Sequence, residues 1–379
     1  MPYAMNLAYR ASRLANVPQV LQHLRYQKLR KSYNHQLWAS AAERIGAEFS
    51  IWGSGFSRIA RDGQTILVRG GEVMLDSHLT LELMGNKALV YQLMSELGCL
   101  VPDYVNYSLS TLAAAEEFLR TSHGMIVVKP AAGTGGGRGV TTGIKDLAAL
   151  KKASRFAARY SPNLIAESQL EGHSFRLLYL DGELIDAVRR DPPIVVGDGR
   201  KTIRKLVSEE NVRRLTSQPA SALSPLIIDQ DARAWLTSIG MSPSSKPPAD
   251  AVITLKRAVN QNSAAQNHSV RDQVHPKTVK QGASLVSNLG VELAGVDVIC
   301  RDIGEPLGTG NGLISEINTT PGLHHHYLVA DPSSGVRVAE LVLEHMYKHQ
   351  RGTLRLKPGS PVPAPEELSP VRFQKLGGG

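Results

Sequence analysis

The chain has 379 residues, of which 42% are hydrophobic and 20% charged, and it contains only two cysteines. That length and apolar share can fill two or three packed domains, which excludes a largely disordered polymer. The formal net charge of +9 suits anionic partners, but an aromatic content of 5%, without basic residues interleaved among the aromatics, argues against base stacking on nucleic acid.

The N-terminus lacks a sustained apolar core of the signal-peptide kind, and apolar runs elsewhere are broken by charges well short of a membrane span. A cytoplasmic protein without membrane contact is expected. Cys99 and Cys300 each sit in apolar segments and read as small core residues, not as a disulfide or a thiolate metal site.

Taken in order, residues 1–31 carry Arg10, Arg13, Arg25, Lys28, Arg30 and Lys31 among apolar residues at helical spacing. They predict a basic amphipathic helix packed on the body, with docking onto an acidic partner as the alternative. Residues 41–79 read as short strands and turns, including a turn at Arg61-Asp62-Gly63 and a strand in EVMLDS at 72–77, which makes a small α/β cap. Residues 86–97 have a helical apolar period ended by Gly98, and Lys87 at their front reads, alone, as an exposed first-turn lysine.

A helix at 111–120 leads to the buried strand 125–128, which Lys129 ends and Pro130 pins. The loop that follows holds Gly133, Thr134, Gly135, Gly136, Gly137, Arg138 and Gly139. Without Cβ atoms, consecutive N–H groups can turn toward one anion, and Lys129 and Arg138 add positive charge beside them. The segment reads as a nucleotide phosphate loop and less well as a surface linker. It is neither the Walker pattern nor the dinucleotide fingerprint, since no Gly-Lys-Ser/Thr closes it and the lysine precedes the glycines.

Residues 145–160 read as a helix, and a strand opening at 164 runs on to a hairpin turned by Asp181-Gly182. A basic helix follows the GDG turn, and 219–250, rich in serine and proline, reads as a less regular insertion. Then come a strand at 251–259, a polar loop to 275, a helix at 276–289, strands at 292–302 and 313–322 around a glycine-rich turn, and a helix near 335–347. Asp297 lies in the first of those strands, and Glu316 and Asn318 alternate by two in the second, so both project from one face. Two antiparallel strands would gather three oxygen-bearing side chains suited to Mg²⁺, which keeps some waters and polyphosphate oxygens. His324, His325 and His326 are too close in sequence to share one zinc ion easily, and contacts to substrate or phosphate suit them better.

The succession of strand-Lys129-glycine loop, Glu167-x-x-Leu170-x-Gly172, Asp297 and Glu316-x-Asn318 resembles an ATP-grasp ligase. The stretches RLLYLDGELIDAVRRDPPIVVGDGRKTI and VHPKTVKQGASLVSNLGVELAGVDVIC are most similar to the ATP-grasp domain of cyanophycin synthetases and bifunctional glutathione synthetases. The resemblance covers roughly residues 79–347.

The resemblance implies an α+β ATP-grasp fold, two α+β subdomains sandwiching ATP, preceded by a small α/β N-terminal domain. The expected division is 1–85 for the basic helix and small domain, 86–170 for the first subdomain, 171–350 for the second, and 351–379 for a disordered tail. In this reading Lys87 and Lys129 reach the phosphates, and Gly133, Thr134, Gly135, Gly136, Gly137, Arg138 and Gly139 close over them. Glu167, Gln169 and Leu170 meet the adenine. Asp297, Glu316 and Asn318 hold one or two Mg²⁺ ions, with Mn²⁺ as a substitute, and Arg176, Arg189 and Arg190 face the transferred phosphate or a substrate carboxylate.

The implied reaction joins a small-molecule carboxylate to an amine, at least one of them acidic, through an acyl phosphate. Relatives of this fold often form dimers. Ser174 stands where relatives commonly carry an acidic ribose contact, and Ala264 and Ala265 replace glycines of a substrate-side loop, so the relatives' substrates do not transfer. The chain has no room for the Mur-ligase-like domain of a cyanophycin synthetase, which implies a stand-alone ligase. The alternatives are a ligase acting on a peptide, protein or specialised-metabolite carboxylate, and a nucleotide-binding regulator without catalysis. Nucleic acid is disfavoured.

Overall fold

The computed structural model describes residues 17–217 and 221–356. Arg10 and Arg13 of the basic segment, the start of the 219–250 insertion and most of the tail lie outside them.

The first described element is a long helix, α1 (Val17–Arg44), and it leads into a meander of β1 (Glu48–Gly53), β2 (Phe56–Arg61) and β3 (Gln64–Arg69). The strand expected in EVMLDS is absent: Gly70 and Gly71 turn the chain, leaving one bridge between Arg69 and Glu72. The Asp76 carboxylate then accepts the backbone N–H of Glu292 at 2.7 Å, which fixes the segment by a side chain instead of a ladder. Two helices follow, α2 (His78–Met84) and α3 (Lys87–Glu96), the latter capped by Asn86, whose side chain accepts the Leu89 N–H.

A four-stranded antiparallel sheet in the order β4-β7-β5-β6 comes next, from β4 (Tyr104–Tyr107), β5 (Ile126–Pro130), β6 (Thr141–Ile144) and β7 (Leu164–Ser168). Helices α4 (Leu112–Thr121) and α5 (Leu147–Ala157) cover one face, burying Ala115, Leu150, Ala153 and Ala157 against Ile126, Val128 and Ile144. All of β5 is buried, consistent with its unbroken apolar run before Lys129.

The larger sheet has five antiparallel strands in the order β12-β9-β8-β13-β14, from β8 (His173–Leu180), β9 (Glu183–Arg190), β12 (Asn267–Ser269), β13 (Leu293–Cys300) and β14 (Gly312–Thr319). Between β9 and β12 the chain makes the small pair β10 (Ile194–Val196) and β11 (Val252–Thr254) with helices α6 (Ile203–Thr216) and α7 (Gln230–Ser238). Helix α7 lies inside the segment expected to be irregular, where Asp229 caps it by accepting the Ala232 N–H at 3.0 Å. Strand β12 likewise sits in the segment expected to be a polar loop, paired with β9 at the sheet edge.

Period-two alternation along β8 sends Phe175, Leu177 and Tyr179 into a core with α3 and α8 (Pro276–Asn288). Leu178 and Leu180 face the other way, into a core built with Leu37, Trp38, Ala41 and Ala42 of α1 and with α9 (Val338–His349). Helix α3, grouped by sequence with the four-stranded sheet in 86–170, thus buries Val90, Tyr91 and Met94 in the core of the five-stranded sheet. The tail begins with order: β15 (Thr353–Leu354) pairs with β3, closing the N-terminal sheet with a strand from the far end of the chain.

Candidate active site

The two sheets face each other across a cleft of about 1400 Å³. On the four-stranded side, Lys129 and Glu167 project from neighbouring strands β5 and β7, and their side chains meet at 2.7 Å. The Lys129 ammonium, on a residue 8% exposed, also donates to the Tyr91 hydroxyl at 3.1 Å, and that hydroxyl lies 2.9 Å from Glu167. Burial, followed by the Glu167 charge, pushes the Tyr91 phenol well above its ordinary range, so it stays a neutral donor.

On the five-stranded side, Arg176, Asp297 and Glu316 are direct cross-strand neighbours on β8, β13 and β14. The Arg176 guanidinium grips Asp297 with two bonds of 2.5 and 2.9 Å, a planar fork matched to a carboxylate. Gly295, two residues earlier on β13, leaves room for it, because a Cβ there would press on the Arg176 chain at 3.0 Å. Asn318 donates to Asp297 at 3.2 Å, which completes the oxygen-bearing trio. A register shift after Asp297 marks a bulge where β14 carries the extra residue Ser315 and delivers Glu316 and Asn318 to the cleft.

Glu316 is bound at 2.7 Å by Lys87, whose own N–H bonds the Ala131 carbonyl at the foot of the glycine loop. Burial opposes the Glu316 charge, but Lys87, Lys129 and Arg176 outweigh it and hold the carboxylate below its usual range. The trio's chemistry fits a divalent hard cation: two carboxylates and an amide oxygen, side by side on adjacent strands, with cations placed to balance a polyphosphate. Among the described residues no group of three His, Cys, Asp or Glu gathers as a metal site, so any such ion would draw on the Asn318 oxygen and on a ligand's own oxygens.

The glycine loop lies over the cleft with Gly133, Gly136, Gly137 and Gly139 in left-handed conformations that disfavour other residues. Thr134, Gly135, Gly136, Gly137 and Arg138 line the cleft, while Gly133 and Gly139 do not. Gly139 serves packing instead, since a Cβ there would strike the rings of Pro130 and Tyr160. Asn260, from beyond β11, donates to the Gly136 carbonyl at 2.9 Å, so loop and opposite wall already touch.

Gln169, Leu170 and Ser174 line the cleft, and the Gln169 side chain accepts the Gly143 N–H at 2.6 Å. Of the three arginines expected to face the transferred phosphate or a substrate carboxylate, Arg176 and Arg190 line the cleft and Arg189 does not. Alternation along β9 turns Arg189 away from Arg190, and it pairs with Asp191 at 3.1 Å.

Sequence reading missed one wall altogether. Trp235 of α7, Arg257 stacked 4.8 Å over its ring, Thr254 and Asn260 line the cleft beside the glycine loop. Asp231, buried in α7, ties this wall to β6 by accepting the Thr142 N–H at 2.8 Å, its hydroxyl at 2.7 Å and the Ala258 N–H at 3.1 Å. The one available signal was an Asp-capped run of helix formers with a tryptophan, at 229–238 in a serine- and proline-rich stretch. Helix α1 also reaches the cleft, through Gln22, His23, Tyr26, Gln27 and Arg30.

With two sheets enclosing a glycine-looped cleft, the chain has the ATP-grasp fold, and it is similar to ATP-grasp ligases in sequence. No protein-family model matches it. It is 28% identical over 278 residues to the cyanophycin synthetase of Trichormus variabilis, covering 72% of this chain and 30% of that protein. It is 26% identical over 275 residues to the glutathione biosynthesis bifunctional protein GshAB of Clostridium perfringens, covering 70% of this chain and 35% of the relative. The crystal structure of a bifunctional glutathione synthetase from Pasteurella multocida superposes with a TM-score of 0.53 at 22% identity, over 83% of this chain and 43% of that one. The chain therefore spans about a third of the length of the curated relatives it matches. Among the described residues no helix is long and apolar enough to cross a membrane.

Proposed function

We propose that this chain is an ATP-dependent carboxylate–amine ligase that forms an amide or peptide bond on amino-acid or small-peptide substrates and works in the cytoplasm. The observation that carries the reading is the convergence, in one cleft under a glycine loop, of Lys87 and Lys129 with Asp297, Glu316 and Asn318. The expected units 86–170 and 171–350 then supply the two walls, with α7 and α3 as the exchanges between them. Lys87, Lys129 and the loop N–H groups would hold the ATP phosphates. Asp297, Glu316 and Asn318 would hold one or two Mg²⁺ ions, which neutralise phosphate charge.

The substrate carboxylate oxygen bonds to the γ-phosphorus as the bond to ADP breaks, giving an acyl phosphate. The amine nitrogen then bonds to the acyl carbon, phosphate leaves, and the nitrogen loses a proton. The protein's part is positioning and charge balance, for which Arg176 and Arg190 are already set in the cleft, and a closed loop keeps water from the acyl phosphate. No nucleophilic serine or cysteine is needed.

The test is ADP release with Mg-ATP across amino acids offered singly and in pairs, with mass spectrometry of the products. A product lighter than its two precursors by one water, formed with one ADP, is the expected result. Glu316→Gln should lower turnover by about a hundredfold or more, because one charge of the site is lost. Unchanged turnover in that variant would refute the assignment of Glu316.

A further inference from the structure

An ammonium carries three N–H donors on a flexible four-carbon stem. At Lys129 two of the three are taken: Glu167 of β7 holds one at 2.7 Å, and the Tyr91 hydroxyl of α3 holds another at 3.1 Å. No described residue accepts the third, and Lys129 lines the cleft. A single ion pair fixes the distance of an ammonium from a carboxylate but lets the stem swing about it. A second contact, from a different element, removes that freedom.

The hydroxyl that makes this second contact is itself held. Its one O–H has two acceptors in reach, Glu167 at 2.9 Å and the Ser315 carbonyl at 3.0 Å, and with either choice an oxygen lone pair remains for Lys129. Ser315 is the extra residue of the β14 bulge, next to Glu316. The Tyr91 ring is 1% exposed, lies in the core that α3 shares with β8 and β13, and sits 5.1 Å from the Tyr104 ring. One turn earlier on the same helix, Lys87 binds Glu316 at 2.7 Å. Helix α3 thereby sets both lysines of the cleft against the strand that carries Glu316 and Asn318.

A buried tyrosine usually finds a partner for its hydroxyl without any bearing on a ligand. Tyr107 is such a case: 5% exposed, bonded to Ser154 at 2.7 Å, and outside the cleft lining. Tyr91 differs because its partner is an ammonium that faces the cleft with a donor to spare.

We propose that Tyr91 is a positioning residue for the nucleotide: its hydroxyl fixes the Lys129 ammonium between β7 and α3, so that the spare N–H meets a phosphate oxygen in the cleft. Tyr91 is not part of the cleft lining, so it acts through Lys129 and its effect requires that charge. This deepens the ligase reading and rests on it for the nucleotide.

The experiment is calorimetric titration of the full chain with Mg-ATP, without amino acids, for the unsubstituted protein, Tyr91→Phe, Lys129→Met, the double variant and Tyr107→Phe. Urea unfolding of each gives its stability. Tyr91→Phe keeps the ring and should bind Mg-ATP about five- to tenfold more weakly. In the Lys129→Met background the same change should cost less than about twofold, because the group it positions is gone. Tyr107→Phe should lose stability to a similar extent and keep its affinity. Unchanged affinity in Tyr91→Phe beside a loss in Lys129→Met would overturn the positioning role and leave the nucleotide reading intact. Equal losses from Tyr91→Phe in both backgrounds, or equal losses in Tyr91→Phe and Tyr107→Phe, would also overturn it. Full affinity in Lys129→Met, or no binding by the unsubstituted protein, would overturn the phosphate assignment itself and the positioning role with it.

Discussion

At the scale of single residues, the histidine turn makes a measurable prediction. Burial, then Arg30 and Arg190, push His324 down to about 3, while burial and His324 hold His325 well below its usual range. His326 is lowered too, by burial, although Asp186 at 2.6 Å opposes the shift. The unfolded chain protonates these imidazoles near pH 6.5, where the native chain does not. Their contribution to stability is present above that pH and is lost as pH falls, for His324 until about pH 3. His324, neutral in the native chain down to about pH 3, holds nearly one proton fewer there than in the unfolded chain, so it makes stability fall as pH falls across that window. Urea unfolding followed from pH 7 to 5 should therefore show falling stability, and His324→Gln should flatten the slope by roughly one proton. An unaltered slope in that variant would mean that His324 titrates normally.

Among elements, α7 holds the cleft together although it looked irregular in sequence. Asp231 is the tie, with both carboxylate oxygens engaged and three donors satisfied. Burial raises its pKa against the pull of the Thr142 and Ala258 bonds, so the carboxylate is held at a cost that those bonds offset. Asp231→Ala leaves the Thr142 and Ala258 N–H groups unpaired and should cost about 2–4 kcal/mol, read from the urea midpoint. Nucleotide affinity should fall with it, because β6 and the Trp235 wall would part. Asp231→Asn keeps one acceptor and should lose less. A second packing test lies at Gly282 in α8, where any Cβ would strike the Tyr179 ring. Gly282→Ala should destabilise by about 1–3 kcal/mol through overpacking without altering nucleotide affinity.

For the whole molecule, α3 joins the two sheets beside the cleft: it packs in the core of the five-stranded sheet, while its Lys87 N–H bonds the Ala131 carbonyl and its Tyr91 hydroxyl reaches Glu167 of β7 as well as the Ser315 carbonyl of β14. A nucleotide bound there should couple their unfolding. At a concentration of Mg-ATP a hundredfold above its Kd, stabilisation of about 2.7 kcal/mol is expected, or roughly 3–4 °C in Tm for a chain of this length. Lys129→Met should remove most of that shift in a calorimetric scan. A full shift in the variant would place the phosphates elsewhere.

Much of this was legible along the chain. Alternation in LISEINTTPG puts Glu316 and Asn318 on one face and the glycines after Lys129 mark a loop, because local periodicity and glycine's backbone freedom act within a few residues, while the ATP-grasp fold was legible only through the resemblance of the motifs to that family. Other features depended on distant partners. Which of Arg189 and Arg190 enters the cleft is set by the register of β9 against β8 and β12. Asp231 matters only because α7 packs beside β6, and the start of the tail becomes β15 only because β3 leaves an edge for it. The sequence by itself determined the strongly apolar strands such as β5 and β13, the loop and the residue types that chemistry requires, since these follow from steric and hydrophobic preferences of neighbours. Only the tertiary structure decided that α1 and α7 wall the cleft and that Arg190 lies buried there with an Nε that no described residue accepts, since burial and pairing are properties of what folding brings together.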